Sequence, residues 1–231
     1  MKLLKYLKGF KIAIISLVLV LGVRVVAELA LPTYTSNIVD TGIQQSGIED
    51  AVPSKISEKS LNTLELFMSD DEIKQVTENY TKDGDNYILN NVSDETRMKL
   101  NNIFKETMTV VLGAKSNNTD LNQVAHGVQA GVVSKDTLTD QRKKAISELG
   151  NSADMMTKQG GISFVKEEYK QVGINTNEIR TNYLKEVGFM MIIVTLISGI
   201  ASVISNFIAS RVSAKVAYNL REKLYNKVLS F

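Results

Sequence analysis

The chain has 231 residues, 44% of them hydrophobic and 23% charged, with a formal net charge of +2, no cysteine and one histidine. Without cysteine there is no disulfide framework, and a typical structural zinc site is excluded. The average resembles an ordinary soluble protein, but it blends three unlike parts.

Residues 1–11 carry Lys2, Lys5, Lys8 and Lys11 with Tyr6 and Phe10 between them. They read as a short amphipathic lead-in at a membrane interface. Residues 12–31 form the first long apolar stretch, interrupted only by Arg24 and Glu28. At 1.5 Å per residue such a helix reaches about 30 Å, enough to cross a hydrocarbon core. Val25-Val26-Ala27 could pass for a small-residue cleavage site, but the stretch is longer than a signal-peptide core and carries two charges. Pro32 reads as the terminator of this helix, and Asp40-Thr41-Gly42 as a local break after it.

Residues 32–186 hold 17 Lys+Arg and 23 Asp+Glu, a net charge of −6. They read as helices joined by short polar loops. Ser69-Asp70-Asp71-Glu72 is a capping box opening a helix toward Tyr80, and Lys82 to Asn86 is a turn before a short strand at Tyr87-Ile88-Leu89. Ser93 caps a helix carrying Met98, Ile103, Phe104, Met108, Val111 and Leu112 at helical spacing, and Gly113 to Asn118 ends it. Residues 121–134 are rich in small residues and fit no element clearly. Further helices are expected over 139–149 and 163–172. Another starts at Asn175 or Thr176 and meets no breaker before the second apolar stretch.

That second stretch, residues 187–209, contains no charge. Beyond it Val212, Val216, Leu220, Leu224 and Val228 recur every four residues beside a polar row of Arg211, Lys215, Asn219, Lys223 and Lys227. An amphipathic helix of this kind needs a partner for its apolar stripe. The basic flanks lie outside both apolar stretches, so both termini are expected in the cytoplasm and residues 32–186 outside a bacterial plasma membrane. These Lys/Arg runs fit topology and anionic membrane lipid, and no nucleic acid is expected as a partner. The fold class expected is an all-α membrane protein. It has a cytoplasmic lead-in (1–11), a transmembrane helix (12–31), a mainly helical extracellular domain (32–186), a second transmembrane helix (187–209) and a cytoplasmic extension (210–231).

Few residues suggest chemistry. Arg24 and Glu28 share one helical face inside a span, where a charge costs roughly 2.5–3.5 kcal/mol. They either wall a transport path, pair with each other, or, for Glu28 near the outer end, snorkel to headgroups. Gly113-Ala114-Lys115-Ser116 lacks the glycine spacing of a phosphate loop and reads as a helix end. Asp83, Asp85 and Asn86 open like a calcium loop, but Ile88 stands where that loop needs glycine. Ser, His and Asp occur in no nucleophile context. No catalytic, cofactor-binding or metal-binding residue is expected in this chain, and no enzyme activity is assigned to it.

The run Leu31-Pro32-Thr33-Tyr34-Thr35-Ser36-Asn37-Ile38-Val39-Asp40-Thr41-Gly42-Ile43 resembles the end of the first transmembrane helix in exporter-type ABC transporters. The tail Asn219-Leu220-Arg221-Glu222-Lys223-Leu224-Tyr225-Asn226-Lys227-Val228-Leu229-Ser230-Phe231 is similar to the cytoplasmic extension of that family's second helix. The match covers about 60–70 residues in the order and on the sides already derived. The resemblance implies a transmembrane domain of six helices, fused or bound to an ATPase domain and working as a homodimer or heterodimer of half-transporters. ATP and Mg are implied for the complete transporter only. Leu220, Arg221, Leu224, Tyr225 and Phe231 are then expected to transmit motion toward a coupling helix. The connection between the first two helices is far longer here than in the family, and the chain reads as the N-terminal part of a longer exporter. A sensor or chemoreceptor shares the two-span plan, but its linker carries a proline after the second span, whereas the two prolines here are Pro32 and Pro53. A membrane-anchored adhesion or scaffolding protein is the third possibility.

Overall fold

The computed structural model describes residues 10–230. The expected lead-in at Lys2, Lys5, Tyr6 and Lys8, and the tail residue Phe231, lie outside the described residues. Most of the rest is helical, in two compact units: residues 39–184, and residues 10–38 with 185–230.

Helix α1 (Lys11–Asn37) does not stop at Pro32, which lies inside it. Proline removes one N–H and one intrahelical bond, and the residues after it keep their own donors. The helix then widens into a π-helical segment, Ile38–Gln44, in which the Gln45 N–H donates to the Asp40 carbonyl. Asp40-Thr41-Gly42 is therefore wound into this segment instead of breaking the chain. The break comes just after it, where Ser46 (φ 59°) and Gly47 (φ 78°) turn left-handed.

The unit 39–184 is mainly helical but not all-α: it contains a small antiparallel sheet of order β1-β3-β2. Strand β1 (Lys55–Ser57) runs directly into α2 (Glu58–Glu65), and Ser57 caps that helix by accepting from the Ser60 N–H. Helix α3 (Asp70–Asn79) opens with the expected capping box, both reciprocal bonds of Ser69 and Glu72 being made. It leads into β2 (Tyr80–Asp83) and β3 (Asn86–Leu89), paired with Asp83 opposite Asn86 across the two-residue loop Gly84-Asp85. Gly84 has φ 59° at the first loop position, as a tight hairpin demands. Sequence patterning identified only part of β3. The partners β1 and β2 are three and four residues long and carry no clear alternation.

Helix α4 (Asp94–Ser116) is the axis of this unit, with Leu100, Ile103, Phe104, Met108 and Val111 buried along one side. Met98, expected on that face, is exposed. Gly113 to Ser116 is its last turn, as expected. Helix α5 (Leu121–Gln129) fills the stretch that sequence could not assign, its cap being Asp120, whose carboxylate accepts from the Asn122 and Gln123 N–H groups. Helix α6 (Lys135–Glu148) starts earlier than expected, and α7 (Ala153–Gln171) begins ten residues before the expected 163. Gly160 and Gly161 explain that extension. A Cβ on Gly161 would stand 2.6 Å from Ala51 Cβ and 3.0 Å from Lys105 Cα, so the pair permits a close approach to α4 instead of ending the helix. One apolar core unites the sheet and helices, including Ile56, Leu61, Leu64, Met68, Val76, Phe104 and Val165.

Helix α8 (Thr176–Leu229) runs unbroken for 54 residues, as its lack of breakers predicts. It and α1 are long and apolar enough to cross a membrane. Along α1 and the part of α8 after residue 184, Ala27, Val187, Ala201 and Ser205 are buried, whereas Ile12, Leu29, Ile200, Val203 and Phe207 are well exposed.

Candidate functional site

In the helical unit, Arg24 and Glu28, four residues apart on one face, pair with each other, one of the alternatives their spacing left open. Arg24 Nε donates to Glu28 Oε1 at 2.7 Å, with the two side chains 35% and 46% exposed. Sequence reasoning missed the third member: the Ser198 hydroxyl from α8 donates to the same Glu28 oxygen at 3.5 Å, the limit of hydrogen-bond reach. The three form a polar step between α1 and α8. Nothing in the spacing of one helix could have revealed Ser198, which lies 170 residues away.

At the far end of α8, Leu220 is half-buried and Arg221 exposed. Leu224, Tyr225, Val228 and Leu229 are each 64–72% exposed. The structure thus places Leu220, Arg221, Leu224 and Tyr225 on one continuous helix and leaves the last two largely uncovered.

In the unit 39–184, four polar side chains anchor elements to one another across the core. Arg142 on α6 is almost fully buried. It donates to Glu72 Oε1 at 2.7 Å and to Thr107 Oγ1 at 3.0 Å, joining α6 to the N-terminus of α3 and to α4. Burial pushes the Glu72 carboxyl up, but hydrogen bonds from Arg142 and from the Ser69 backbone outweigh it and hold the carboxyl below its ordinary value. Glu168 on α7 is also buried, and its carboxylate accepts from the Ser57 N–H at 2.7 Å and from the Ser60 hydroxyl. It thereby supplies charge and acceptors at the start of α2, where orphan N–H groups need them. The Tyr169 hydroxyl accepts from the Ser54 N–H at 2.9 Å, and the Tyr80 hydroxyl donates to the Pro53 carbonyl at 2.7 Å. Burial pushes the Tyr80 phenol well above its usual value, so it stays a donor. These anchors are tertiary and were not legible as motifs.

Between α4, α5 and α6 lies a cleft of about 420 Å³, with Phe67, Val110, Val124, Leu138 and Ile146 among its apolar walls. Asn117, Thr119 and Gln141 stand among its few polar groups. Among the described residues no group of three or more His, Cys, Asp or Glu side chains could hold a metal ion.

No family model matches the chain, and neither a curated protein nor a solved structure is significantly similar to it.

Proposed function

We propose that the chain is the first part of the transmembrane domain of an ATP-driven ABC-type exporter in a bacterial plasma membrane. In this reading α1 and the middle of α8 span the bilayer, and residues 39–184 form a domain held outside the cell. The observation that carries the reading is α8 itself. One 54-residue rod joins an uncharged apolar stretch to an amphipathic extension whose apolar stripe is half-buried at Val212, Val216 and Leu220 and bare from Leu224 onward. A bilayer covers the exposed apolar side chains of the first part, and a cytoplasmic partner covers Leu224, Tyr225, Val228 and Leu229 of the second. An unbroken helix is a stiff lever, which suits transfer of motion from an ATPase to a transport cavity. The Arg24–Glu28 pair and Ser198 agree with a span, because charges there pair with one another or face protein or a watery path.

The native chain lacks cysteine, so single cysteines report cleanly. In the complete transporter, Tyr225→Cys should react with a thiol reagent in inside-out vesicles, and ATP with vanadate should change that rate several-fold. A rate indifferent to nucleotide would count against the exporter. The topology is tested by Lys143→Cys, which should react with an impermeant maleimide on intact, wall-stripped cells. Labelling only after lysis would overturn the outside placement of residues 39–184.

One observation favours a second reading, a membrane sensor: the apolar-walled cleft between α4, α5 and α6 could hold a small ligand. In a sensor, reactivity at Tyr225→Cys would respond to an external ligand and not to ATP.

A further inference from the structure

Where α1 begins and the apolar part of α8 ends, the two helices leave a groove of about 370 Å³. Phe10 and Ala13 line it from α1; Phe207, Ile208 and Val212 line it from α8. Arg211 and Lys215 complete the lining, so an apolar wall meets two cations. Phe207, Arg211 and Lys215 are spaced four apart and follow one face of the helix, about 6 Å per step. The Arg211 guanidinium lies over the Phe207 ring, 4.7 Å from its centre. That stacking holds Arg211 beside the groove and leaves the donors at its edge able to meet an anion. Among the described residues neither Arg211 nor Lys215 is ion-paired with a carboxylate. Lys11 at the first turn of α1 adds a third positive charge close to Phe10 in the chain.

We infer that this groove binds an anionic phospholipid, with its phosphate on Arg211 and Lys215 and the start of one acyl chain along Phe10, Phe207 and Val212. The inference rests on the membrane-spanning reading above. Its chemistry is specific to a lipid because the cations and the apolar wall belong to one groove. A soluble anion would use only the cations, and a neutral apolar ligand would leave them without a partner. Arginine meets phosphate oxygens through a planar fork and lysine as a point charge, so one phosphodiester can engage both. A zwitterionic head would bring its own ammonium against a second protein cation. A head with no compensating positive charge therefore fits better. The groove holds a head and the top of a chain, and the remaining acyl carbons run on into the bilayer beside the exposed apolar flank of α8.

The test uses the full chain in nanodiscs of phosphatidylcholine containing a minor fraction of phosphatidylglycerol. Lipids retained after mild detergent release are counted by native mass spectrometry. The unaltered chain should retain phosphatidylglycerol about 30-fold over its share, the scale expected of two juxtamembrane cations acting together. R211Q/K215Q should bring retention near parity, whereas R221Q/K227Q, which removes equal charge from the exposed tail, should leave the enrichment intact. Equal loss in both double variants would mean a diffuse basic surface and overturn the site. So would displacement of the lipid by millimolar inorganic phosphate, which would identify a soluble-anion site. Alkaline carbonate extraction on the same preparations separates the two claims. A chain that resists extraction but shows no enrichment defeats only the lipid site, and a chain that is extracted defeats the spanning reading and this inference with it.

Discussion

Replacing Arg142 with methionine tests whether the polar anchors stabilise residues 39–184. Methionine keeps most of the length and apolar volume of the stem, so the cavity penalty stays small. What is lost is the pair of hydrogen bonds to Glu72 and Thr107 at 2.7 and 3.0 Å, together with a looser 3.9 Å ion pair to Glu106. Removing one partner of a buried ion pair costs about 3–5 kcal/mol because the other charge is stranded. Glu72 keeps 20% side-chain exposure and its 2.8 Å bond from the Ser69 N–H, so it regains part of its hydration. The low end, about 3 kcal/mol, is therefore expected. With a urea slope of about 2 kcal/mol per molar, the unfolding midpoint of residues 39–184 should fall by about 1.5 M. Glu72→Gln retains a side chain that can still close the capping box, so it isolates the charge. In the double variant R142M/E72Q the loss should be smaller than the sum of the two singles by about 1–2 kcal/mol. A midpoint for R142M within about 0.3 M of the unaltered chain, or additive single effects, would refute the claim that this cluster acts as one unit.

The same pair sets an acid limb. The folded-state value of Glu72 lies below its ordinary 4.5, so its contribution is complete above that value and disappears as pH falls through the lowered one. Glu72→Gln should flatten stability across that acid window, and urea midpoints measured at several pH values check this. Gly161→Ala should destabilise by about 1–3 kcal/mol through overpacking against Ala51 and Lys105, outweighing a helix-propensity gain of up to about 1 kcal/mol. Gly113→Ala, with nothing within 4 Å of the added carbon, should instead stabilise by about 0.5–1 kcal/mol, and thermal unfolding distinguishes the two signs. A Cβ on Gly42 would touch Leu184, so the chain enters and leaves this unit at neighbouring points. On the exporter proposal, replacing residues 50–175 with a short Gly-Ser linker should leave carbonate-resistant insertion intact while changing substrate range or export. Unchanged transport would exclude a role for the domain in capture or release.

Local chemistry alone determined a large share of this protein. Charge-free length marked residues 187–209, and the absence of any breaker from Thr176 onward predicted the unbroken α8. Ser69, Glu72 and Ser93 announced their helices because a cap is a contact between residues three apart. The four-residue spacing of Arg24 and Glu28 placed them on one face, and their pairing was one of the alternatives it left open. Tertiary structure decided what depends on distant neighbours. Gly160-Gly161 lies within a helix because Thr109, Lys105 and Ala51 approach so closely there that the positions suit residues without a Cβ. Strands β1 and β2 exist through pairing with β3, since three or four residues carry too little pattern to be strands alone. Ser198 joins Glu28, Arg142 joins Glu72 and Glu168 joins the start of α2 only after folding brings together segments 70 to 170 residues apart. Short-range hydrogen bonds and periodicity are written into neighbouring residues, whereas burial and charge pairing across the fold are fixed only when the chain closes on itself.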